Sequence, residues 1–149
     1  MHGKFMGAVA LVALVHGGAL AGEHGHSHAA PNTAVSAEQG KLVPTDAALR
    51  QGMETIWATM AAALAKRPGP DDYPRIADAV EADIDRLTKT CTLEPDVDAR
   101  LHLLLVRMFT GIERLRQPEK QQVGIAFILG ALDEYGRTFD HPGWRSFGH

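Results

Sequence analysis

From Thr45 onward, apolar residues recur at three- and four-residue steps in four successive segments, and a proline stands at every break between them. That pattern leaves little room for anything but helices packed on one another. Thr45 or Asp46 is placed to cap a first helix carrying Leu49, Met53, Ile56, Trp57, Met60 and Leu64, and Arg67-Pro68-Gly69-Pro70 stops it. The second stripe is Ile76, Val80, Ile84, Leu87 and Cys91. After Thr92-Leu93-Glu94-Pro95, the proline and the acids Asp96 and Asp98 suit the first turn of a third helix, where no backbone donor is lost and negative charge meets the dipole. Its stripe is Leu101, Leu104, Leu105, Met108, Ile112 and Leu115; Pro118 separates it from Ile125, Ile128, Leu129, Leu132, Tyr135 and Phe139, and Pro142-Gly143 closes the last segment. Segments of about twenty residues span about 30 Å each. Short links between matched helices favour antiparallel neighbours, so the expected fold is all-α, an up-down-up-down four-helix bundle over residues 44–149. No strand alternation, internal repeat or glycine-rich phosphate loop interrupts this reading.

The first 21 residues have another character. His2 and Lys4 make a weak basic start, Phe5 to Leu20 form an apolar run, and Ala19-Leu20-Ala21 is a small-x-small cleavage site. Such a run is short for a bilayer span. Residues 1–21 are therefore read as a signal peptide, and the mature chain begins at Gly22 in a periplasm or an equivalent oxidising space, soluble and without a membrane partner. About 128 residues remain, one domain with a real core. Residues 22–43 read as a flexible His-containing tail and linker.

Charge and cysteine content narrow the function. The whole chain carries a formal net charge of −3, and without a basic patch nucleic acid is excluded as a partner. Cys91 is the only cysteine, so no intramolecular disulfide forms, and an exported odd thiol is hidden, paired between chains or used. The absence of C-x-x-C-H excludes ordinary covalent c-type haem. No nucleophile, base and oxyanion-hole constellation is legible, and a non-enzymatic role is expected.

Two groups of metal donors stand out. A terminus reading Gly22-Glu23-His24 can wrap an amine, two backbone nitrogens and the third-position imidazole around one ion, an arrangement that favours Cu(II) or Ni(II); His26 and His28 add imidazoles. A polar leader with incidental metal affinity is the plain alternative. In the expected bundle, Met53, Cys91, His102 and His141 share one pole, a thioether, thiol and imidazole set suited to copper. Each also has a packing role: Met53 as core filler, Cys91 as a small buried residue, and His141 as a charge near a helix C-terminus. His102 stands about 100° from its stripe, facing a neighbour's flank or water. Tyr135 and Trp144 would wall such a site, and Asp98 or Asp140 would orient an imidazole from outside the ligand set. Pairing of Arg50 with Asp98 or Asp140 is the structural alternative.

Arg50-Gln51-Gly52-Met53-Glu54-Thr55-Ile56 resembles the first helix of the soluble periplasmic b-type cytochrome. That resemblance implies a four-helix bundle with haem b held between Met53 and His141, for electron transfer. Thr45 to Met53 (T-D-x-x-L-R-x-G-M), Cys91 to Pro95 (C-x-L-x-P) and Phe139 to Trp144 (F-D-H-P-G-W) resemble a group of exported bacterial proteins, a likeness that implies the fold without an activity. The leading expectation is copper binding, sequestration or transfer; haem binding and a cofactor-free structural or interaction bundle, as a homodimer or with a periplasmic partner protein, are the alternatives.

Overall fold

A computed structural model describes residues 40–147. Four α-helices make up most of it: α1 (Ala47–Ala65), α2 (Tyr73–Thr90), α3 (Pro95–Leu115) and α4 (Gln121–Thr138). Their ends follow local chemistry. The Asp46 carboxylate accepts from the Leu49 backbone N–H at 2.6 Å and caps α1, satisfying a donor that has no partner inside the helix. Beyond α1, Arg67 takes a left-handed backbone conformation with φ of 53°, which turns the chain toward a 3-10 turn at Pro70–Asp72 that leads into α2. Pro95 opens α3 with Asp96 and Asp98 in its first turn, and a second 3-10 turn, Pro118–Lys120, precedes α4.

Each helix packs against the next in sequence, α1 on α2, α2 on α3 and α3 on α4. Leu49, Met53, Ile56 and Met60 meet Val80, Ile84 and Leu87, Leu104, Met108 and Ile112, and Ile128, Leu132 and Tyr135 in one continuous core. Full burial of each aliphatic chain contributes about 1.5–3 kcal/mol relative to exposure. Helices α3 and α4 come into backbone contact at two glycines: a Cβ on Gly111 would lie 2.8 Å from the Gly124 carbonyl oxygen, and a Cβ on Gly124 2.8 Å from that of Gly111. Between α1 and α2, the buried Asp83 carboxylate accepts from Thr59 at 2.5 Å and pairs with Arg86, so its charge is not orphaned.

The expected stripes are buried with few exceptions, Trp57, Leu64 and Leu129 being only partly covered. Three departures concern the ends. Two-residue strands β1 (Val43–Pro44) and β2 (Phe139–Asp140) pair in parallel, Val43 beside Phe139; two residues carry no alternation to read. Val43, assigned above to the linker, is buried in the core, so folded structure starts before Thr45. Cys91 lies just past α2 in extended backbone, as its C-cap, and not on the helical stripe. Residues 1–21 and the Gly22–His28 donors lie outside the described residues. No helix among the described residues is long and apolar enough to cross a membrane.

Candidate functional site

The start of α1 and the end of α4 are tied by several bonds around β1 and β2. Thr45 Oγ1 donates to the Asp140 carbonyl at 2.5 Å, while Arg50 Nη1 turns back to the Thr45 carbonyl at 2.7 Å and its hydroxyl at 3.0 Å. Arg50 thus holds the strand-to-helix corner instead of pairing with Asp98 or Asp140. One turn further along α1, Glu54 reaches His141.

His141 is buried, with both ring nitrogens engaged: Nδ1 lies 2.9 Å from the Tyr135 hydroxyl and Nε2 3.1 Å from Glu54 Oε1. A carboxylate only accepts, so Nε2 carries the hydrogen that Glu54 receives; in the neutral ring Nδ1 then accepts from Tyr135. Burial, the largest influence, pushes the Tyr135 hydroxyl well above its ordinary value, so the phenol stays protonated in this role. Tyr135 stacks on Phe139 at 4.9 Å and meets Trp144 edge-on at 4.7 Å, while Trp144 lies 5.1 Å from the His141 ring. The Trp144 indole rests on α4 at Gly136, where a Cβ would come within 2.6 Å of Nε1. Beyond it, Phe147 packs on Trp57 at 5.0 Å and the Arg145 guanidinium lies 4.0 Å over the same indole. The whole stretch from Phe139 to Phe147 is a clasp laid across α1 and α4.

Among the expected donors, His141 is held in this way and Met53 is fully buried in the core beside Leu49 and Ile56. Cys91 is half-buried, and burial first, then the Asp46 carboxylate, raises its thiol pKa above the ordinary value. His102 lies exposed on α3, in the sector the 100° offset allowed for water. No group of three or more His, Cys, Asp or Glu side chains converges in metal-holding geometry among the described residues. Cys91, His102 and His141 therefore do not form the cluster expected of them. The groups that orient the His141 imidazole are Tyr135 and Glu54; the carboxylates of Asp98 and Asp140 belong to exposed residues. Trp144 does wall His141, and Tyr135 touches it directly. Glu54 had no role in the sequence reading, because nothing in the sequence links it to a residue 87 positions away.

A different surface lies on α3. Leu103 is 69 % exposed, Val106 49 % and Phe109 36 %. At 100° per residue, Ala99, Leu103, Val106, Thr110 and Glu113 fall in one row of α3, spaced four, three, four and three, on the side opposite the buried stripe. Val106, Phe109, Thr110, Glu113, Arg114 and Lys120 line an open groove of about 510 Å³ along it. Arg114 leans away over the Phe127 ring of α4 at 4.2 Å. The signal for this surface was present as three large apolar residues off the core stripe. Comparison of the chain with protein families, with characterised proteins and with solved structures gives no match.

Proposed function

We propose that this chain is a non-enzymatic, exported interaction module: an up-down-up-down four-helix bundle, closed at one pole by the Phe139–Phe147 clasp, that docks a partner on the outer face of α3. The observation that carries this reading is the exposure of Leu103, Val106 and Phe109 on a helix whose opposite face is core. Contiguous apolar surface rimmed by charge marks interaction sites. The antiparallel arrangement is supported by the bonds joining the start of α1 to the end of α4 and by the fit of Gly52 against Leu87 near the end of α2. The test is photo-cross-linking in the exporting host, with the photoreactive residue at Val106 and, as control, at Asp85 on the exposed side of α2. A covalent adduct at position 106 and none at 85 is expected; no adduct at either overturns the reading.

A second reading, copper capture by the Gly22–His28 segment, is favoured by the third-position imidazole of His24. Protein with Gly22 as its first residue is expected to bind one Cu(II) that His24→Ala releases, measured by titration. A folded copper site of Cys91, His102, His141 and Met53, or haem b between Met53 and His141, has less support. Either would require His141 to give up Tyr135 or Glu54 and fully buried Met53 to leave its packing.

A further inference from the structure

We propose that the occupant of the α3 face is a second copy of this chain, with the two α3 helices antiparallel about a twofold axis passing near Val106. This inference rests on the docking reading above and adds its partner. Four observations carry it.

First, the spacing of the row Ala99, Leu103, Val106, Thr110 and Glu113 alternates between four and three, the repeat by which one helix lays a seam against another. Second, its large apolar members, Leu103 and Val106, lie at its middle, with Phe109 on one flank. Antiparallel pairing about Val106 lays that residue on its own counterpart and sets Leu103 of one copy beside Thr110 of the other, twice. A closed twofold contact requires this self-complementarity.

Third, α3 is polarised. Asp96 and Asp98 occupy its first turn, whereas Arg114 and Arg116 stand at its end. Asp96 and Asp98 have no ion pair among the described residues, and Arg116 is shared by Asp78 at 2.8 Å and Glu81. Antiparallel packing brings the acidic turn of one copy to the Arg114 end of the other and opposes the helix dipoles; parallel packing would set acids against acids. Fourth, His102 is exposed and has no hydrogen bond or ion pair from its side chain among the described residues. On the antiparallel seam it lies beside Glu113 and Phe109 of the second copy, which gives it a charged and an aromatic neighbour.

The experiment uses the full exported chain. Sedimentation velocity at up to about 100 µM, above the micromolar range in which modest specific interfaces still associate, is expected to show twice the monomer mass. Leu103→Glu combined with Val106→Glu should return it to the monomer while circular dichroism keeps the helical signal, which separates lost docking from lost folding. Orientation is read in a Cys91→Ser background oxidised with diamide. Val106→Cys should form a disulfide-linked dimer with itself. Ala99→Cys should not, because its two copies would stand about 20 Å apart, yet it should link to Glu113→Cys when the two variants are mixed. Self-linking of Ala99→Cys overturns the antiparallel seam, as does a wild-type chain that stays monomeric. A photo-adduct at position 106 of foreign mass, together with a monomeric wild type, sinks the second copy while the docking reading survives. No adduct and no dimer sink both.

Discussion

The clasp and the outer face of α3 present opposite combinations of residue type and environment. The clasp and the α4 and α1 residues under it concentrate the conspicuous side chains, a histidine, a tyrosine and two tryptophans, yet most of their polar groups and rings are engaged within the chain; among buried side-chain polar atoms of the described residues, the indole N–H groups of Trp57 and Trp144 lack a partner. On α3 the residues are ordinary aliphatics and one phenylalanine, and a third to two thirds of each lies open to solvent. Rarity of a side chain is therefore a poor guide here to whether it is left unengaged. A histidine bonded at both ring nitrogens is architecture, whereas the apolar residues of the outer α3 face are left open to solvent among the described residues.

The sharpest way to break this contrast is to remove the α4 side chain on which the clasp rests. Tyr135→Ala removes a fully buried ring together with the bond to His141, and urea denaturation is expected to show a loss of about 3–5 kcal/mol; a loss below 1 kcal/mol would mean the clasp contributes little. Gly136→Val comes next. Its side chain would occupy the seat of the Trp144 indole, at an overpacking cost of about 1–3 kcal/mol, and tryptophan emission should move to longer wavelength as Trp144 is displaced.

Tyr135→Phe separates the bond from the ring. His141 Nδ1 loses its donor, a cost of about 1–3 kcal/mol, and the pH profile changes as well. The Tyr135 hydroxyl is raised above its unfolded value of 10.0, chiefly by burial, so its contribution is whole below that pH and is lost as pH rises through the folded value. The wild-type urea midpoint should consequently fall above pH 10 more steeply than that of Tyr135→Phe; parallel curves would remove the phenol from the account. Asp46→Ala, which deletes the cap of α1, should cost about 1 kcal/mol in the same assay. Smallest of all is Leu103→Glu with Val106→Glu, expected to shift stability by no more than about 0.5 kcal/mol when measured at sub-micromolar concentration. A large loss there would make the α3 face part of the fold and dissolve the contrast.

Most of the helical architecture was legible because periodicity and punctuation are local. The stripe of α3 was buried as read, that of α4 too except for half-buried Leu129, and Asp46 and Pro95 open their helices. The site was far less legible. Both bonds of His141 depend on side-chain reach at the close of α4, and no spacing rule links Glu54 to a residue 87 positions later. Gathering Cys91, His102 and His141 needed more than a common end of the molecule. A helix presents side chains all around its axis, and the 100° offset of His102 was enough to carry it to solvent. The strand pair was invisible for another reason, since two residues on each side cannot show a period.

The clasp also has a mechanical consequence. Its bonds join positions 95 and 87 apart, Thr45 with Asp140 and Glu54 with His141, and therefore bridge almost the full contour from residue 40 to residue 147. Tension applied between those two points would load this knot before it reached any helix. Extension would begin with its rupture, after which the four rods would be free to peel apart in pairs.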